Sequence, residues 1–105
     1  MSACLVYVTA SDKAEAEKIG RTAVEEKLAA CANVLGGHMS IYRWQGEVQQ
    51  DQEVGLLLKT MEGHVAALTE RILALHSYDC PCVVTWPLTG GNPDFLAWIE
   101  SESKP

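Results

Sequence analysis

The chain lacks the features that mark membrane, secreted and nucleic-acid-binding proteins. Its longest apolar runs reach about five residues, far short of the roughly 20 that a membrane-spanning helix needs. The first ten residues contain no Lys or Arg, which argues against a secretory signal peptide. The 8 basic residues form no cluster, and 14 acidic residues bring the net charge to −6, so no phosphate-binding surface is expected. These absences predict a cytoplasmic protein that binds neither nucleic acid nor membrane.

Recognisable catalytic motifs are also missing. Gly36-Gly37 and Gly90-Gly91 are not followed by the Lys-Ser/Thr pair of a phosphate-binding loop, and neither G-x-S-x-G nor H-E-x-x-H occurs. Cys31 and His38 could pair as nucleophile and base, but Cys31 opens a predicted strand and His38 follows the predicted Gly36-Gly37 turn. The sequence therefore predicts a protein that is not an enzyme.

What is present suits one globular domain. A length of 105 residues leaves room for a single core, and 48% hydrophobic with 21% charged residues is an ordinary composition. We therefore assign residues 1–105 to one domain. The four cysteines, without a secretory signal, are expected to be reduced thiols, with Cys4 and Cys31 acting as small core residues.

Hydrophobic spacing predicts the order β-α-β-β-α-β followed by a terminal helix. Ser11 or Asp12 can cap the first helix, and Asn92 followed by Pro93 is a strong start signal for the last. The predicted strands cover residues 3–9, the hairpin between 31 and 60, and 82–88, and the predicted helices cover 12–29, 61–76 and 93–101. This order indicates an α+β fold of the ferredoxin-like type, in which two split βαβ units form one antiparallel sheet with two helices on one face.

The organising stretch is the hairpin formed by the second and third strands. Its turn is predicted at residues 49–52, where four polar residues follow one another, and the alternative is Gln45-Gly46. Tyr42, Trp44 and Leu57 give the two strands more apolar surface than one helix layer can cover, so an oligomer is expected.

Five ordered blocks of this sequence resemble the CutA family of divalent-cation tolerance proteins. They are EEKLAACANVL (25–35), SIYRWQGEV (40–48), EVGLLLKT (53–60), the H-x-Y-x-x-P of residues 76–81, and GNPDFLAWI (91–99). The resemblance implies a ferredoxin-like homotrimer with an extended hairpin and a C-terminal helix, linked to tolerance of metal ions such as copper. A copper site proposed for one branch of the family maps onto Val8, Leu75 and His76, where two of the three ligands are replaced.

Two candidate sites follow, each with a simpler alternative. The first is a metal site of His76, Cys80 and Cys82, because thiolates and imidazole suit copper or zinc; a closed zinc site would need a fourth ligand. In the alternative, Cys80 is buried packing and Cys82 an incidental surface thiol. No other cofactor is expected.

The second candidate is a cleft for a small anionic or polar ligand, with aromatic walls and a lysine at the end of an apolar strand. Its predicted residues are Cys31, Tyr42, Trp44, Lys59, Tyr78 and Trp98. In the alternative, these residues only pack an interface and Lys59 forms an ion pair between subunits. The sequence thus favours a metal-tolerance trimer, and a ligand-sensing or interaction trimer remains open.

Overall fold

The computed structural model describes residues 2–105, which form an α+β domain; Met1, where the predicted domain begins, lies outside the described residues. Along the chain the elements are strand β1 (Ala3–Ala10), helix α1 (Lys13–Glu25), strands β2 (Cys31–Trp44) and β3 (Glu47–Met61), a short 3-10 helix (Glu62–His64), helix α2 (Val65–Leu75), strand β4 (Val83–Pro87) and helix α3 (Pro93–Glu102).

The strands form one sheet in the order β2-β3-β1-β4, and every neighbouring pair is antiparallel. This is the strand order of two interleaved split βαβ units. The ferredoxin-like fold predicted from the sequence is confirmed. It leaves β2 and β4 as the two edges of the sheet within one chain.

The main core lies between the sheet and the helices α1 and α2. Alternate residues of the central strands β1 and β3 point into this core, because successive side chains of a strand point to opposite faces of the sheet. Its fully buried large side chains are Val6, Val8, Ile19, Leu56, Leu58, Leu68 and Ile72. A second small cluster includes Ala3 and Met61, which alternate with the core residues of their strands, together with Ile99. Helix α3 therefore covers one end of the opposite face.

The hairpin turn lies at Gln45-Gly46, so the prediction at residues 49–52 is wrong. Gln45 has φ 51° and Gly46 has φ 83°, the pair of left-handed conformations that a two-residue hairpin turn requires. The pairing of β1 with β3 stops at Val54, opposite Ala10. Residues 47–53 of β3 therefore extend beyond the four-stranded sheet and pair only with β2. Solvent surrounds their polar side chains there, so these residues do not end the strand.

The glycines at 36 and 37 mark a bulge inside β2, so the prediction of a turn there is also wrong. Val34 lies opposite Leu56 and Gly37 lies opposite Val54, so β2 has one extra residue at this point. An extra residue exchanges the two faces of a strand. Beyond the bulge, odd-numbered residues of β2 such as Ile41 therefore lie on the helix-covered side of the sheet.

Helix α1 ends at Glu25, four residues earlier than predicted. Lys27 has φ 60°, and the N–H groups of Lys27 and Leu28 bond to the carbonyls of Val24 at 3.0 Å and Ala23 at 2.9 Å. This is the Schellman motif, which stops a helix and satisfies its last carbonyls. No helix within residues 2–105 is long and apolar enough to cross a membrane.

Candidate functional site

His76, a predicted metal ligand, is buried with both ring nitrogens occupied. Its side chain is 0% exposed. The Nδ1 atom accepts a hydrogen bond from the N–H of Tyr78 at 3.1 Å, and Nε2 lies 2.8 Å from the carbonyl oxygen of Thr9. The proton therefore belongs on Nε2, which donates to Thr9. His76 ties the segment after α2 to the end of β1 and presents no free nitrogen to a metal ion.

Glu15 fixes the same segment from the other side. Its carboxylate accepts hydrogen bonds from the N–H and hydroxyl of Ser11 and from the N–H of Ser77, each at 2.9 Å. Burial alone would raise the pKa of Glu15, but the bonds from Ser11 and Ser77 outweigh burial and lower it to about 2. The sequence signal for this role was the capping relation: Asp12 accepts from the N–H of Glu15 at 2.8 Å, as predicted for a helix N-cap.

The two thiols follow this anchored segment. Cys80 is exposed and Cys82 is half-buried, and both are free. The prediction of Cys80 as buried packing is therefore wrong, because Cys80 lies in the bend before β4, outside the sheet. Within residues 2–105, no three or more His, Cys, Asp and Glu side chains are grouped to hold a metal ion. A three-ligand site of His76, Cys80 and Cys82 is thus not assembled in one chain.

Three of the predicted cleft residues come together where β2 begins. The ammonium of Lys59 donates to Asn33 Oδ1 at 2.5 Å and to Cys31 Sγ at 3.8 Å, and it lies 5.9 Å from the centre of the Phe95 ring. The Phe95 ring is 5.3 Å from that of Trp98. The polar partner Asn33 was missed, although antiparallel pairing places it on the same face as Cys31 and Lys59.

An open cleft of about 380 Å³ borders this group. Helix α1 forms one wall with residues that include Arg21 and Glu17, β2 forms the floor with Cys31, and α3 contributes Trp98. Of the group around Lys59, Cys31 and Trp98 line the cleft; the rest of its floor is apolar, and Arg21 and Glu17 supply charge at its wall. A mainly apolar cleft with a few charged groups suits a small polar molecule.

The other three predicted cleft residues lie elsewhere. Tyr42 and Trp44 are on the extended part of the hairpin, where the Tyr42 hydroxyl donates to Asp51. The Tyr78 hydroxyl donates to Glu53 Oε2 at 2.8 Å. Burial, and then this bond, raise the pKa of Tyr78. The six residues do not form one pocket within a single chain.

Cys31 and His38 are also separate. Both lie in β2, seven residues apart, which in a strand corresponds to roughly 20 Å. The sulfur of Cys31 contacts Lys59 and Asn33 instead. The geometry gives no nucleophile–base pair here.

The extended hairpin exposes a row of apolar side chains, which we call the arm patch: Met39, Ile41 and Val48. Their exposed fractions are 51%, 67% and 64%. They share one face because Met39 and Ile41 both follow the bulge and Val48 is diagonal to Ile41 across the hairpin. Since neither α1 nor α2 reaches this part of the sheet, the arm patch is uncovered within one chain.

Comparison with known proteins agrees along nearly the whole chain. A family model described as CutA1 divalent ion tolerance protein matches residues 4–102. The Divalent-cation tolerance protein CutA of Thermus thermophilus is 43% identical over 99 residues, which are 94% of this chain and 96% of that protein. The crystal structure of CutA from Xylella fastidiosa is 40% identical and superposes with a TM-score of 0.95 over 99% of this chain and 100% of that chain.

The plant relatives are longer. The chloroplastic protein CutA of Arabidopsis thaliana is 40% identical over 100 residues, which are 95% of this chain and 55% of that protein. The chain thus spans about half the length of this curated relative.

Proposed function

The chain belongs to the CutA1 family of divalent ion tolerance proteins, and on this basis we propose that it acts in tolerance of divalent cations as a non-enzymatic homotrimer. The observation that supports this most strongly is the arm patch. An exposed row of large apolar side chains on a protruding hairpin is costly for a monomer and is typical of a self-association surface.

The two free sheet edges allow subunits to pair in a ring. The free edges β2 and β4 differ in length, with 14 and 5 residues. Both leave backbone groups available for pairing with another strand. Pairing between unlike edges is a head-to-tail contact, which gives a ring when the rotation between neighbouring subunits closes. The choice of three subunits rests on the family resemblance.

The open side of the sheet gives a second surface for the same assembly. Val84 and Trp86 of β4 are 51% and 42% exposed. They alternate with residues of the covered face and lie opposite Tyr7 and Leu5 of β1. Helix α3 covers only one end of this face, so the remaining apolar side chains are available for a neighbouring subunit.

The test is the molar mass in solution, measured by light scattering after size-exclusion chromatography. We expect three times the 11.4 kDa of one chain. The double substitution Ile41→Lys and Val48→Lys should shift the mass towards that of one chain. Leu73→Lys, on α2, is the matched control, since Leu73 is 50% exposed away from the hairpin. A wild-type monomer, or an unchanged trimer in the double variant, would contradict the proposal.

Copper or zinc binding belongs to this proposal as a property of the thiols. The residues present do not fit a closed zinc site, because His76 is engaged and four ligands are needed. Thiolates without an imidazole favour Cu(I), which is a softer ion than Zn²⁺.

The second candidate is a trimer that senses a small polar molecule, favoured by the cleft beside Cys31, Lys59 and Trp98. In such a trimer a neighbouring hairpin would bring the Tyr42 and Trp44 side chains towards the cleft. A ligand of this kind should raise the unfolding temperature of the trimer equally in the variant Cys80→Ser/Cys82→Ser, which leaves Cys31 in the cleft unchanged. Stabilisation by metal ions alone, lost without the thiols, would instead favour the first candidate.

A further inference from the structure

The segment between α2 and β4 has a fixed beginning and two free thiols near its end. His76 and the Glu15–Ser77 bond hold its first residues against β1 and α1. Cys80 and Cys82 follow, separated by Pro81. Cys80 is exposed and Cys82 is half-buried, and neither forms a disulfide.

The spacing of the two thiols allows them to share one ion. Cys80 lies in the bend before β4 and Cys82 directly precedes that strand, and the Cα atoms of residues two apart are at most about 7 Å apart. Rotation about the Cα–Cβ bonds can bring two such sulfurs closer. Pro81 restricts the backbone between them to a narrow range of φ. The two cysteines would therefore lose less conformational freedom when they bind a metal ion.

From this we infer that Cys80 and Cys82 form a two-thiol site for monovalent copper, with His76 as a structural residue and not a ligand. The inference rests on the proposed role in metal tolerance and gives it a chemical basis: soft thiolate donors select Cu(I). On binding, each thiol loses its proton and each sulfur forms one bond to copper. Two protons are therefore released for every ion bound, and no electron is transferred.

The same chemistry predicts selectivity against zinc. Zinc in protein sites is held by four ligands, or by three and a water. Two thiols alone supply half of the closed set, and the His76 nitrogens are already bonded to Thr9 and Tyr78. Zn²⁺ should therefore bind the wild-type protein much more weakly than Cu(I) does.

The experiment is an anaerobic titration of the reduced protein with Cu(I), in competition with a chromogenic Cu(I) chelator. The wild type should bind one ion per chain and release two protons. Cys80→Ser and Cys82→Ser should each weaken binding by more than about a hundredfold, which exceeds the usual effect of losing only a neighbour of a metal ligand. Cys4→Ala is the control, a buried thiol outside the segment, and should bind as the wild type does.

X-ray absorption of the copper-loaded protein gives a second readout that does not depend on any substitution. Two sulfur neighbours and no imidazole nitrogen are expected. Imidazole in the coordination shell, or equal binding by the double variant Cys80→Ser/Cys82→Ser, would overturn the inference. The molar mass of the double variant distinguishes the copper site from the proposed trimer. If the double variant is still a trimer but binds no copper, it has lost the two-thiol site and kept the assembly.

Discussion

The bond network of Glu15 makes a quantitative prediction about stability. Glu15→Gln keeps the shape of the side chain, but its single carbonyl oxygen cannot accept from Ser11 and Ser77 together. A fall in pKa from 4.5 to about 2 corresponds to about 3 kcal/mol of stability at neutral pH. Since the Glu15 side chain is 13% exposed, solvent reduces this amount. We expect Glu15→Gln to lower the free energy of unfolding by about 2 kcal/mol at pH 7.

The pH dependence follows from the sign of the shift. Because the folded-state pKa of Glu15 is depressed, its contribution is complete above the unfolded pKa of 4.5 and is lost as the pH falls towards 2. The difference between wild type and Glu15→Gln should therefore be constant from pH 6 to 8. At pH 3 it should be about two-fifths as large, because pH 3 lies below the unfolded pKa of 4.5 and only slightly above the folded pKa of about 2.

The assay is unfolding in guanidinium chloride, followed by circular dichroism at pH 7 and pH 3 with equal protein concentrations. Glu17→Gln is the matched control on the same helix, because Glu17 is 51% exposed and only faces Lys13 at 3.7 Å. It should change stability by less than about 0.5 kcal/mol. A Glu15→Gln protein as stable as the wild type at pH 7, or a difference that does not shrink at pH 3, would refute the reasoning.

Three further substitutions test the local geometry by the same unfolding assay. Lys27→Gly should stabilise the protein by about 1 kcal/mol, because only glycine adopts φ 60° without strain; a loss of stability would contradict the helix end described here. Thr60→Val should lower the free energy of unfolding by about 1–3 kcal/mol, because the buried Thr60 hydroxyl donates to the Leu28 carbonyl at 2.7 Å and that carbonyl would lose its partner. An unchanged free energy of unfolding would show that the bond is dispensable. Gly20→Ala should cost about 1–3 kcal/mol, because the added methyl would lie 3.0 Å from the Ala32 Cβ; a gain in stability would mean that helix and strand can separate freely.

The predicted cleft shows how folding divided residues that the sequence had grouped. Cys31, Lys59 and Trp98 meet because antiparallel pairing sets Cys31 opposite Lys59 and α3 lies over that end of the sheet. Tyr42 and Trp44 lie more than ten residues further along β2, and sequence blocks do not reveal such a separation.

The turn and the bulge show where local signals were ambiguous. Four polar residues in a row resembled a turn, but in the extended hairpin they lie on a strand with solvent beside it. Gly46 adopts the left-handed conformation of the true turn, whereas Gly36 and Gly37 accompany a bulge. Glycine permits all of these conformations. The pairing partner decides among them.

The sequence by itself determined the order of the elements, the ferredoxin-like fold and the starts of α1 and α3, because hydrophobic spacing and capping residues act within a few neighbouring positions. Only the tertiary structure decided what His76 does. Its imidazole could have bound a metal as far as the sequence shows, but the end of β1 supplies the carbonyl of Thr9 from a distant part of the chain. A buried ring that has satisfied both nitrogens within the fold gains little by exchanging those bonds for a metal, which leaves the thiols of Cys80 and Cys82 as the soft donors of the segment.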